Sequence, residues 1–414
     1  MIRSIGAGVG AGRLLGERRG RAHRRARTAT PAIDTRARAA HIARVRSPDV
    51  VVIGGGVMGC AIALRLAQRG VRAIVLERSV PGAEASSVAA GILAPSIEHA
   101  PGTVEHALGI AGRDRHGTLA AELRDTLGID VGFRRCGAMM VALGDDEARA
   151  LADRATGLEL RAALVPGDEA RRREPALSPD TRAALDLTDE AQIEPPSLLR
   201  ALAIGAERAG AIFRAGATVR GVRIEGGRAL GVITDGGTID AAHVVVAAGS
   251  WTGQIPGLPE PASVVRPIRG QLVHAELRMP IARRVLFGAG GYVVPRPDGR
   301  VICGATMEDA GFQKEVTLGG ALEVLSRATR LVPGLAGATL TGHAVNFRPS
   351  SPDTLPLVGP AGPDGLWLAT GHHRNGILLA PVTADLIAES ITGAASSFAD
   401  LAALDPRRFA RSAG

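Results

Sequence analysis

Cysteine is scarce in this chain of 414 residues: Cys60, Cys136 and Cys303 are the whole supply, and no two form a CxxC pair. That count and spacing exclude a disulfide scaffold and a cysteine-rich zinc module. They suit a reducing compartment, so a cytoplasmic location is expected. Long apolar runs are missing as well. The longest, such as residues 243–249, fall far short of the roughly 18–20 residues a membrane-spanning helix needs, so no membrane span is expected. The ten histidines include no HExxH pair and no ligand-spaced cluster with carboxylates, and no metal is expected. A GxSxG elbow is also absent. Lysine occurs once, at Lys314, beside 48 arginines, a bias that follows base composition more than a phosphate-binding face.

The net charge of +8 is concentrated at one end. Residues 1–48 hold twelve arginines, from Arg3 to Arg46, against Glu17 and Asp34, whereas the remainder has 37 basic and 39 acidic residues. No nucleic-acid partner is therefore expected for the body. The leader is rich in Arg, Ala and Gly and poor in acid, like a transit peptide, yet it lacks an apolar secretory core. It reads as a disordered or mis-started extension. Its glycines at 6–12 mimic a nucleotide loop, but no strand precedes them.

From residue 49 the pattern becomes regular. Val50, Val51, Val52 and Ile53 form a continuous β-branched run, as a parallel strand buried on both faces requires. Gly54, Gly56 and Gly59 then give GxGxxG, followed by a helix over 60–69 and a second strand over 71–76. That strand delivers Glu77, 18 residues past Gly59. Strand, tight turn, helix, strand and acid are the parts of a dinucleotide-binding unit. The glycines let the backbone approach a pyrophosphate, and the helix N-terminus aims its free N–H groups at the charge. Glu77 can accept from an adenosine ribose, which disfavours a 2′-phosphate, but the unit does not distinguish NAD from FAD.

Two more strand-to-glycine units follow, 243–248 ending at Gly249 and 366–370 ending at Gly371, the second opening a helix over 376–390. Helix 197–209, strand 211–214 and a meander over 217–224 and 228–233 lie between them. Strands at 285–287, 291–296 and 300–304 and a helix at 318–330 belong elsewhere. The expected fold class is α/β (α+β overall): a discontinuous Rossmann-like domain over 49–130, 188–258 and 343–414. A second domain with a mixed or antiparallel sheet, over 131–187 and 259–342, is inserted twice.

The turn with Glu77, the stretch 85–95 (ASSVAAGILAP), Tyr292 to Arg296 leading to Met307, Arg348-Pro349, and the stretch 371–381 (GHHRNGILLAP) resemble the FAD-dependent amino-acid oxidases. Within them, the glycine oxidases of thiamine biosynthesis are the narrower match. The resemblance covers residues 49–400 and favours FAD, bound non-covalently. It implies that Val57 and Met58 lie along the phosphates, Glu77 and Arg78 at the adenosine half, and Ser86 at the pyrophosphate. Ala90, Gly91 and Ile92 would run beside the flavin ring, and Val219 would pair its backbone with adenine. His372, His373, Arg374, Asn375, Gly376, Ile377 and Leu378 would wrap the isoalloxazine, where a helix N-terminus favours the charge of reduction.

For substrate, the resemblance implies that Arg348 grips a carboxylate through two parallel hydrogen bonds. Tyr292, the single tyrosine, would donate to the same group; Arg374 would sit near it. Met307 is either an apolar wall of the pocket or core filler. Cys303 reads as a packed core thiol. His373 stands where the family usually has an aromatic, Asn346-Phe347 where it has Gly-Leu, and Ile92 where methionine is frequent. The implied reaction is hydride transfer from the α-carbon of a small amino acid to FAD, with the imine hydrolysed to glyoxylate and ammonia. Dioxygen would be reduced to hydrogen peroxide, a thiazole synthase would be a partner, and the assembly would be a homotetramer. The alternatives are a dehydrogenase with a quinone acceptor, and a nucleic-acid-associated protein working through the leader.

Overall fold

The computed structural model describes residues 47–156 and 162–410. The reading of the leader falls on residues 1–46, outside the described residues.

The apolar run Val50–Ile53 is a strand buried on both faces, and its alternation explains how. Val50 and Val52 pack into one core with Ala73, Val75 and Val245, under helices. Val51 and Ile53 pack into another with Ile74, Leu76, Val244 and Val246, together with Val222, Ala229 and Val232 of the meander. A strand covered on both sides needs no polar alternation. The sheet holds six strands in the order 357–360, 366–370, 243–246, 50–53, 73–77 and 212–215. Four of the five pairings are parallel, and Leu357–Pro360 closes one edge antiparallel to Leu366–Thr370.

The longer helices are α1 (Val57–Gln68), α2 (Val104–Leu127), α3 (Pro195–Arg208), α4 (Leu318–Leu331) and α5 (Gly376–Thr392). Helices α1, α2, α3 and α5 pack on one another over the first core. Helix α2 was not anticipated from the sequence. Its interior carries Gly109 and Gly112, which lower helix propensity, but close packing requires them. A Cβ at Gly109 would lie 2.6 Å from Pro95 Cβ, and one at Gly112 would lie 2.4 Å from the Leu378 carbonyl oxygen.

A second sheet has eight strands in the order 339–350, 266–276, 300–304, 291–295, 285–288, 138–142, 183–187 and 162–166. It is antiparallel except where Val285–Gly288 meets Ala138–Ala142, and α4 packs against it. Its two longest strands depart from the sequence reading. Arg266–Glu276 went unread because Pro267, Gly270 and the buried Gln271 break the alternation that marks a strand. Thr339–Ser350 pairs with it along its whole length, so it runs straight across the boundary expected between residues 342 and 343. Among the described residues, no helix is long and apolar enough to cross a membrane.

Candidate active site

The turn after Val50–Ile53 is built from close backbone contacts. Gly54 has φ +104°, and a Cβ there would meet the Ala247 carbonyl oxygen at 2.5 Å. A Cβ at Gly59 would overlap the Gly54 carbonyl at 1.9 Å, so α1 can begin this close to the turn only with glycine. Helix α1 starts from Gly56 with no side-chain cap from that residue and no acid in its first turn. The Val57 N–H donates to Ser86 Oγ at 2.9 Å. Glu77 accepts from the Gly55 N–H (2.8 Å) through one oxygen and from the Ser79 N–H (2.9 Å) through the other. The acid thus pins the turn as well as facing the space beyond it.

That space is a cavity of about 810 Å³. Gly54, Gly56, Val57, Met58, Glu77, Arg78, Ser86, Val219 and Gly249 line one end. Arg78 lies over the Trp251 ring at 4.2 Å and pairs with Glu84 at 2.7 Å. Ala90, Gly91 and Ile92 also line the cavity, as do His372 through Ile377. Arg296, almost fully buried, donates to the Ala90 carbonyl at 2.8 Å and to Gln192, tying the segment 90–92 to the second sheet. A glycine-lined turn, the N-terminus of α1 and an apolar trough fit a flavin dinucleotide.

At the other end, two side chains are laid over glycines of neighbouring strands. Arg348, on Thr339–Ser350, spreads its guanidinium over Gly270, where a Cβ would lie 2.3–2.4 Å from Nη1, Cζ and Nη2. Its Nη1 donates to the carbonyls of Thr306 (3.1 Å) and Arg269 (3.3 Å). Tyr292 lies over Gly304 in the same way, a Cβ there falling 2.3 Å from Cζ and Oη. Burial pushes the Tyr292 hydroxyl up to about 12 against the opposing pull of Arg348, so it stays a donor.

Arg374 forms an ion pair through Nε with Glu98, whose carboxyl is pushed up by burial and held back by Arg374. His373, at φ +47°, is held down to about 4 by burial and by the charges of Arg348 and Arg374. Met307 is 57% exposed and lines the cavity, which removes the core-filler alternative.

The family model for FAD dependent oxidoreductases (DAO) matches residues 49–390. The chain belongs to this family. The bifunctional protein ThiO/ThiG of Trichormus variabilis is 36% identical, over 83% of this chain and 52% of that protein. The chain therefore spans about half the length of that relative. Glycine oxidase of Geobacillus kaustophilus is 34% identical over 86% of this chain and 95% of that one. The crystal structure of glycine oxidase from the same organism matches with a TM-score of 0.82 and 33% identity, covering 89% of this chain and 99% of that one.

Of the residues the DAO-family resemblance singled out, all but two line the one cavity. Gly59 serves it indirectly, by letting α1 meet the turn. Leu378 is 2% exposed and directs its side chain at Gly109 of α2, so it is core and not lining, a correction to the expected wrap of 372–378. The three departures from the family pattern, at Ile92, Asn346-Phe347 and His373, all fall on the lining. Sequence reasoning missed Gly270, Glu84, Glu98 and Trp251. A lone glycine inside a strand is the signal that could have flagged Gly270; Glu84, Glu98 and Trp251 carried none. Among the described residues, no group of His, Cys, Asp and Glu is placed to hold a metal ion.

Proposed function

We propose that this chain is an amino-acid oxidase of the glycine oxidase type, acting on glycine or a comparably small amine. The observation that carries the reading is the pair Arg348 and Tyr292, held over Gly270 and Gly304 at the far end of a cavity that begins at the glycine turn. The relatives named glycine oxidase and ThiO/ThiG support it.

Bound FAD supplies a hydride acceptor and a path for electrons to dioxygen. The chain supplies position. Arg348 holds the substrate carboxylate through its guanidinium, and the protonated Tyr292 hydroxyl donates to the same group, turning the α-carbon toward the trough. Hydride loss from the α-carbon requires the amine in its neutral, reactive form. His373, uncharged above pH of about 4, adds no competing cation. Met307 limits the space available to a side chain at the wall. The imine product hydrolyses to glyoxylate and ammonia or passes to a thiazole synthase, a partner supported by the ThiO/ThiG name. Three free thiols support a reducing, cytoplasmic setting. The exposed stripe Leu318, Leu322 and Leu325 on α4 supports self-association, and the homotetramer rests on the family resemblance alone.

The test is peroxide release by the FAD-loaded chain on glycine, sarcosine, D-alanine and D-proline under air. Fastest release with glycine is expected. Reduction of an artificial acceptor without peroxide would replace the oxidase with a dehydrogenase.

A further inference from the structure

Helix α5 starts against the cavity and carries Pro381 in its second turn. Proline has no N–H, so the carbonyl four residues earlier, that of Ile377, loses its helical donor. Ile377 is buried and lines the cavity, where an unpaired acceptor is costly.

The missing donor comes from outside the helix. His116 of α2 is fully buried, and its Nε2 lies 2.7 Å from the Ile377 carbonyl oxygen. A carbonyl can only accept, so Nε2 carries the hydrogen and the tautomer is set. Nδ1 of the same ring has no partner, which accords with a neutral ring kept down to about 4 by burial. One turn earlier, Gly112 lets the α2 backbone approach the Leu378 carbonyl. The first turn of α5 is thus clamped by one ring and one glycine of a helix remote in sequence.

We infer that His116 is a positioning residue for the FAD site: it replaces the hydrogen bond that Pro381 removes and so fixes the turn of α5 facing the cofactor. The inference rests on FAD binding in this cavity and is independent of which amine is oxidised.

The test compares His116→Leu, His116→Gln, Pro381→Ala and the double variant His116→Leu/Pro381→Ala in the full chain. The measurements are the FAD dissociation constant after reconstitution, the visible spectrum and midpoint potential of the bound flavin, and the Tm of the apoprotein. His116→Leu should weaken FAD binding about tenfold, the effect of one unpaired buried acceptor, and should shift the spectrum and potential. His116→Gln, with an amide N–H for the same carbonyl, should restore both. Returning an N–H at position 381 should recover most of the affinity lost in His116→Leu, a non-additivity that loose packing alone would not produce. A lower Tm with unchanged FAD affinity, spectrum and potential would overturn the inference, as would a double variant that adds the two losses. If His116→Leu does not fold alone, the double variant against Pro381→Ala decides the matter by the same readings.

Discussion

At the dinucleotide end of the cavity the walls are main chain, and glycines keep side chains out of the way. Gly54, Gly56 and Gly59 all lie within the one strand–turn–helix unit that ends at Gln68. At the proposed substrate end the walls include long side chains, and glycines are again the means, but as beds on which Arg348 and Tyr292 lie. There the partners come from residues 270, 292, 304 and 348, brought together by strand pairing. The same residue type lets backbone close on backbone in one place and seats a large polar side chain in the other. Damage to the first should appear in cofactor binding, and damage to the second in turnover.

The largest expected effect is at the substrate end. Arg348→Ala removes a charged, two-pronged grip and should lower kcat/KM for glycine by about 10³-fold. FAD content should stay normal; a loss of flavin would merge the two ends. Gly59→Ala tests the opposite end. Its Cβ has no room beside the Gly54 carbonyl, so FAD affinity should fall by about 10²-fold, while refilled protein turns over with nearly unchanged kcat. Gly270→Ala sharpens the contrast most directly, because it displaces Arg348 without deleting it. A shift of about 1 Å should cost roughly 10- to 100-fold in kcat/KM, with FAD affinity intact. Tyr292→Phe removes one hydrogen bond and should cost about tenfold.

The smallest effect concerns stability and not catalysis. Burial holds His116, His372 and His373 down to about 4, 3 and 4. The unfolded chain takes up these protons near 6.5, before the folded chain does, so stability must fall as pH drops below that value toward 4. Tm measured at pH 7, 6 and 5 should decline in that order, and His372→Asn should flatten the decline. A Tm constant over that range would mean the rings are not held neutral.

The dinucleotide end was legible in the sequence because its geometry is local. A β-branched run, three glycines and an acid, all within residues 50–77, leave little choice of conformation. At the substrate end, family resemblance pointed to Arg348 and Tyr292, but not to what holds them. The value of Gly270 depends on a strand paired from residues 339–350, and that of Glu98 on Arg374 far along the chain. Helix α2 was hidden for a related reason. Its glycines look like breakers until α5 and Pro95 are placed against them. Leu378 was misassigned because a motif read as a string cannot show which face of its helix is turned inward.

The order of strands in the six-stranded sheet also bears on how the protein is made. Val50–Ile53 is flanked by Ala73–Glu77, synthesised almost at once, and by His243–Val246, which itself pairs with Leu366–Thr370. On the ribosome the phosphate turn is therefore translated early, while the strand and helix that complete its surroundings emerge late. The full lining, which runs from Ile53 to Ile377, is therefore assembled only after α5 has been synthesised.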